Sequence, residues 1–118
     1  SRADTWEAAN TYCQGEANAT LVELLTEEQL DLVRMVLEVV EDHEGGAAAS
    51  WWTSGTDLAR EGAWYWGASL VPVQPWLWFA SEPDSGLLGN CMVLNGNFEY
   101  RALDSSCTSE RKVICQRK

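Results

Sequence analysis

The residues of this 118-residue chain that could do chemistry gather late, in the stretch Trp76 to Cys91, WLWFASEPDSGLLGNC. Glu82-Pro83-Asp84 sets two carboxylates on either side of a proline, and Asp104 follows ahead of Cys107. Such carboxylates hold a hard cation such as calcium, which takes about six to eight oxygen ligands, or they divide the work of acid and base in a glycosidase. Nothing else supports catalysis. His43 is the lone histidine and sits in an acidic helix tail, and no serine lies in a nucleophile motif. A binding protein is expected, not an enzyme.

The four cysteines, Cys13, Cys91, Cys107 and Cys115, include no C-x-x-C pair, so a zinc site is not expected. Their even number points to two disulfides and an oxidising compartment, with three pairings open. Asn18-Ala19-Thr20 is a glycosylation sequon and fits export. The opening SRADTWEAAN has neither the positively charged start nor the apolar core of a signal peptide, so an exported form is expected to have lost its leader.

Elements must hold these residues. Thr5 caps a helix over WEAANTYCQG, with Trp6, Ala9 and Cys13 on one face and Gly15 at its end. Thr26-Glu27-Glu28-Gln29 reads as a capping box for a second helix, with Leu30, Val33, Leu37 and Val40 in one stripe. That helix stops at Gly45-Gly46. SWWTSGTDL, GAWYWGA, CMVLNG, FEYRA and KVICQ are short, apolar or aromatic runs between turn residues and read as strands. From about Gly67 to Asn90 the pattern has no period, and Pro72, Pro75 and Pro83 exclude a central strand or helix. A loop that long in a small domain is usually functional, and its tryptophans argue that it is ordered. The reading is one α+β domain over residues 1–118: two helices first, then an antiparallel sheet interrupted by a large ordered loop.

The bulk numbers narrow the partners. A net charge of −10 and a pI near 4.3 argue against nucleic acid and anionic membranes. No apolar run approaches the roughly 20 residues that span a bilayer. The acids along EEQLDLVRMVLEVVEDHEGG are expected to form a solvated surface.

Several landmarks occur together in a characteristic order. They are Trp6-Glu7-Ala8-Ala9 before Cys13, Glu27-Glu28-Gln29, Trp52-Thr53-Ser54-Gly55-Thr56-Asp57 and Glu61-Gly62-Ala63-Trp64-Tyr65-Trp66. Trp78 then lies four before Glu82-Pro83-Asp84, and Cys91, Cys107 and Cys115 close the pattern. With them the chain resembles a C-type lectin-like domain over nearly its whole length, and most of all the secreted single-domain members of arthropods.

The resemblance implies pairings Cys13–Cys115 and Cys91–Cys107, and it makes Trp64, Trp66 and Trp78 anchors of the long loop. It also implies a calcium ion at the loop tip, held by the two residues flanking a cis proline and by acids near the third and fourth cysteines. Glu82, Asp84 and Asp104 match. Gly89 stands where a third acid belongs and Leu103 where an Asn belongs, so calcium is expected to be weak, at about 10⁻⁴ to 10⁻³ M or beyond. Asn90 lies beside the first gap and joins Glu82 and Asp84 as a candidate ligand-binding residue. Trp51 or Trp76 would offer a face to a sugar ring. Two ionised carboxylates only accept hydrogen bonds, so the family's usual rule for choosing between sugars does not apply. A second calcium position of the family would use Asp57 and Glu61, although Glu61 also fits a purely structural turn.

The function implied is secreted carbohydrate recognition, agglutinating or innate immune, with glycans or glycoproteins as partners and oligomers adding avidity. The alternative is a calcium-independent domain that binds protein or another non-sugar ligand.

Overall fold

The computed structural model describes residues 2–16, 18–80, 82–83 and 89–117. In chain order they form β1 (Ala3–Asp4), α1 (Trp6–Gly15), β2 (Ala19–Leu21), α2 (Glu27–His43), β3 (Ser50–Thr56), β4 (Tyr65–Trp66), β5 (Cys91–Asn95), β6 (Ala102–Ser105), β7 (Arg111–Lys112) and β8 (Cys115–Arg117). The main sheet has the order β1-β7-β3-β5-β6, with β4 also on β3, and β2 pairs with β8 in a separate ribbon.

Both helices start where their caps predict. The Thr5 side chain accepts from Ala8 N, and Thr26 and Gln29 form the reciprocal capping box. The α+β class holds, but the order is less simple than two helices followed by strands. Strand β1 precedes α1, β2 separates the helices, and β3 meets β7 in parallel at Trp51 and Lys112. FEYRA is not a strand. A 3₁₀ turn covers Gly96–Phe98, Glu99 and Tyr100 adopt left-handed φ angles of 60° and 58°, and β6 begins only at Ala102. KVICQ divides into β7 and β8 at Val113-Ile114. Alternation of apolar residues cannot reveal such breaks, because the backbone changes direction there without changing composition.

The expected disulfides are both present. Cys13–Cys115 closes 102 residues of sequence and Cys91–Cys107 closes 16. On the chain-entropy model the longer bridge stabilises by about 4.7 kcal/mol and the shorter by about 3 kcal/mol.

Adjacent residues of β3 face opposite sides of the sheet. Trp51 enters the main core with Leu30, Leu37, Leu77, Met92 and Leu94, while Trp52 enters a second cluster with Ala9, Cys13, Leu21 and Val93. The loop tryptophans pack as anchors. Trp66 is fully buried, and Trp64 and Trp78 meet edge to face with centroids 4.8 Å apart. At the loop root, Gln74 accepts from Trp66 Nε1 at 3.3 Å and donates to the Leu25 carbonyl. The Glu23 carboxylate accepts from Ser69 N at 2.9 Å.

One acid of α2 departs from the expected solvated surface. Glu41 is only 6% exposed and lies on the same helix face as Leu30 and Leu37. Its Oε2 accepts from Trp51 Nε1 at 2.6 Å and from Ala49 N at 3.2 Å, while its Oε1 accepts from the Tyr100 hydroxyl. A buried carboxylate is tolerable when donors surround it, and here three donors come from two separate chain segments, Ala49 to Trp51 and Tyr100. Trp51 is therefore a core residue holding a carboxylate, and its proposed role as a sugar platform is corrected.

Burial first, and then the Glu41 carboxylate, raises the Tyr100 phenol above its ordinary value of 10.0. In the unfolded chain the phenol ionises near that value while the folded phenol keeps its proton, so stability must fall as pH rises beyond it. Tyr100→Phe is expected to cost about 1–3 kcal/mol in chemical denaturation at neutral pH, because Glu41 loses a donor. It should also flatten the loss of melting temperature above pH 10. An unchanged alkaline profile in the variant would show that Tyr100 does not carry this dependence.

Candidate functional site

The candidate site forms where strands of the main sheet end. Strand β3 finishes at Thr56 opposite Cys91, the first residue of β5, and Asp104 sits in β6 opposite Met92. Between Trp52 and Thr56 the register of β3 against β5 shifts. Such an irregularity bends the strand and re-aims the side chains around it. Gly55 lies at this irregularity because a Cβ there would come within 2.7 Å of Met92 Cε. Past it, Asp57 N donates to the Asn90 carbonyl at 3.1 Å and Thr56 Oγ1 donates to the same oxygen at 2.6 Å. The exit of β3 and the entry to β5 are thus fixed together.

The long loop reaches this end along β6. Trp78 bridges to Ala102, and Phe79 N donates to the Ala102 carbonyl at 3.0 Å. The Glu82–Pro83 peptide is cis, as the resemblance implied. Half-buried Glu82 then accepts from Asp104 N on Oε1 at 3.3 Å. Two of the three expected metal ligands are therefore neighbours. Asp84 lies outside the described residues.

A second pair of acids faces the same end. Asp57 is buried; its Oδ2 accepts from Gly62 N at 2.8 Å, where Gly62 takes a φ of +82° that suits glycine. Its Oδ1 is buried with no hydrogen-bond partner. Glu61 is pushed above its ordinary carboxyl value, first by desolvation, then by Asp57 through charge and a hydrogen bond, and then by the charge of Asp104. Asp57 does build the structural turn, but Glu61 senses both Asp57, just past β3, and Asp104 in β6. The Asp and Glu spacing signalled this pair in the sequence; the β3-β5-β6 pairing that brings Asp104 near has no such local signal.

The departures are equally concrete. Leu103 packs against the Trp52 cluster, and Gly89 is buried and brings no oxygen side chain. Asn90 is half-buried, with its carbonyl committed to β3. Trp76 lies in a 3₁₀ turn at Pro75–Leu77, half-buried against the main core, with its carbonyl accepting from Arg101. Among the described residues, no three Asp, Glu, His or Cys side chains converge as a metal cluster. The oxygen donors and the unpartnered Asp57 Oδ1 fit a loosely held hard cation, not a closed cage.

The model of the Lectin C-type domain matches residues 2–117, and the chain belongs to the C-type lectin domain family. Lithostathine-1 of Mus musculus is 25% identical over 115 residues, which are 97% of this chain and 67% of that protein. Salivary C-type lectin 1 of Aedes albopictus is 29% identical over 118 residues, 95% of this chain and 75% of its own length. The expected likeness to arthropod members is met by this relative. The crystal structure of C-type lectin CEL-I from Cucumaria echinata superposes with a TM-score of 0.83 at 19% identity, covering 97% of this chain and 83% of that one. Identity at that level shows a shared fold.

Glu61→Gln removes the charge that Asp57 and Asp104 oppose. Its melting temperature is expected to exceed the parent's at neutral pH. The gap should shrink as pH falls and vanish below 4.5, the ordinary value of the group, where the carboxyl is protonated in both the folded and the unfolded parent. A variant no more stable than the parent at neutral pH would mean that these acids do not oppose one another.

Proposed function

We propose that this domain is a secreted carbohydrate-binding module, not an enzyme, whose calcium is weakly held at the end of the long loop. The observation that carries the reading is the contact between Glu82 and Asp104, which joins a residue of the loop tip to one of the sheet. Asp84 completes the proposed ligand set. Calcium bound there would neutralise the acids and offer open coordination positions to vicinal sugar hydroxyls. Glu82 and Asp84 would then accept from those hydroxyls, with Asn90 and the open part of Trp76 at the margin.

Two disulfides favour an oxidising, extracellular setting. Among the described residues no helix is long and apolar enough to cross a membrane. Asn18 is exposed, as a glycosylation acceptor must be. The partners proposed are glycans or glycoproteins, in the service of innate immune or agglutinating recognition. Assembly into oligomers would raise the avidity of so weak a site.

A second reading rests on Leu103 and Gly89. With one expected ligand position turned into the core and another lacking oxygen, the domain would bind protein or another non-sugar ligand without calcium.

Calorimetric titration with calcium, paired with thermal melting and a glycan array, separates the two. The first reading expects heat, a calcium-dependent rise in melting temperature and glycan binding that chelator removes. Asp104→Ala should abolish all three while the variant still melts cooperatively. If millimolar calcium changes nothing and chelator leaves glycan binding intact, the calcium-dependent reading fails.

A further inference from the structure

Helix α2 is apolar on two faces. Leu30, Val33, Leu37 and Val40 face the core, yet Leu32, Met35, Val36 and Val39 also form a stripe at spacings of three and four. These four are 60%, 62%, 44% and 66% exposed. Side chains of that size scattered singly would need no explanation, but a contiguous stripe marks an interaction surface. It is also not flat. Between α2 and the β2–β8 ribbon run two open grooves of about 550 and 310 Å³, both lined by Val36 and Ile114. Val40 and Trp51 floor one, and Val22 and Val33 floor the other.

Arg117 lines the larger groove from β8, but on the α2 side the charge edging the stripe limits what can cover it. Glu27, Glu28, Asp31, Glu38 and Asp42 are all exposed on the same helix. On a helical period, Glu27, Asp31, Glu38 and Asp42 fall in one row beside the apolar stripe. Arg34 is the helix's one Lys or Arg, and it is already paired with Asp31 at 3.1 Å. A second copy of the chain would bring acid against acid, each copy carrying a net charge of −10. An anionic membrane is disfavoured for the same reason.

We propose that the exposed face of α2 docks a cationic amphipathic helix of another protein, apolar side chains entering the stripe and its grooves and Lys or Arg meeting the acid row. This is helix-in-groove recognition, with the charges steering the encounter and fixing orientation. It is independent of calcium and of the loop tip.

The probe is a synthetic amphipathic Leu/Lys helical peptide added to the whole chain, with affinity read by calorimetry and location by amide chemical shifts. Binding is expected to move the amides of α2 and β8. It should weaken at least tenfold in Met35→Glu/Val39→Glu, whose side chains are exposed and whose fold is checked by melting. Asp31→Asn/Glu38→Gln/Asp42→Asn should also weaken it and reduce its dependence on salt. Neutralising Glu7, Glu61 and Glu110 instead, exposed acids that line neither groove, should leave affinity within about twofold if the row matters and net charge alone does not.

Equal binding of a scrambled or a Leu/Glu peptide would overturn the proposal. So would indifference to the stripe substitutions, or equal effects of the two sets of neutralised acids. Dimers in sedimentation that Met35→Glu abolishes would assign the face to a second copy. Binding to phosphatidylserine vesicles lost in the same variant would assign it to a membrane. Either result replaces the helical partner.

Discussion

Everything in this domain is arranged around one strand that must bury large side chains on both faces. In β3, Trp51 and Trp52 are consecutive and point to opposite sides of the sheet, each almost fully enclosed. One face therefore needs α2 and the anchored loop as cover, and the other needs α1 and the disulfide-tied ends. A strand with a single solvated face would not impose both. The same strand leads to the candidate site: its register against β5 shifts near its end, and Asp57 beyond it is held to the Asn90 carbonyl.

Polar groups inside this arrangement act as fasteners between segments distant in sequence. Glu41 collects donors from Trp51, Ala49 and Tyr100, and so joins α2, the segment before β3 and the turn before β6. Glu23 holds Ser69 at the root of the long loop, and Gln74 ties that loop to Leu25 and Trp66. Each leaves a costly unsatisfied group if its partner is removed, so the loop is held by specific bonds as well as by buried tryptophans. A rigid root matters for recognition, since the acids at the far end act together only if their separation is fixed.

The functional surface is divided. Near the end of β3, Glu61 lies within the field of Asp57 and Asp104, and these acids oppose one another. The α2 face carries four exposed aliphatic side chains edged by acids. Charge repulsion costs the first region stability and apolar exposure costs the second. Regions of both kinds are where function is sought.

Much was legible in the sequence. The caps at Thr5 and Thr26, the core stripe of α2 and the loop tryptophans could be read because their signals are local, in caps, periodicity and motif spacing. The resemblance supplied the disulfide pairing and the cis proline, which spacing alone left open. Tertiary structure decided which acid of α2 would be buried, that Trp51 would bind it instead of facing a sugar, that Leu103 would turn inward, and that Glu61 would feel Asp104. Those outcomes depend on which remote segments meet. A side chain's neighbours across a fold are set by three-dimensional packing, and one-dimensional order carries no direct record of them.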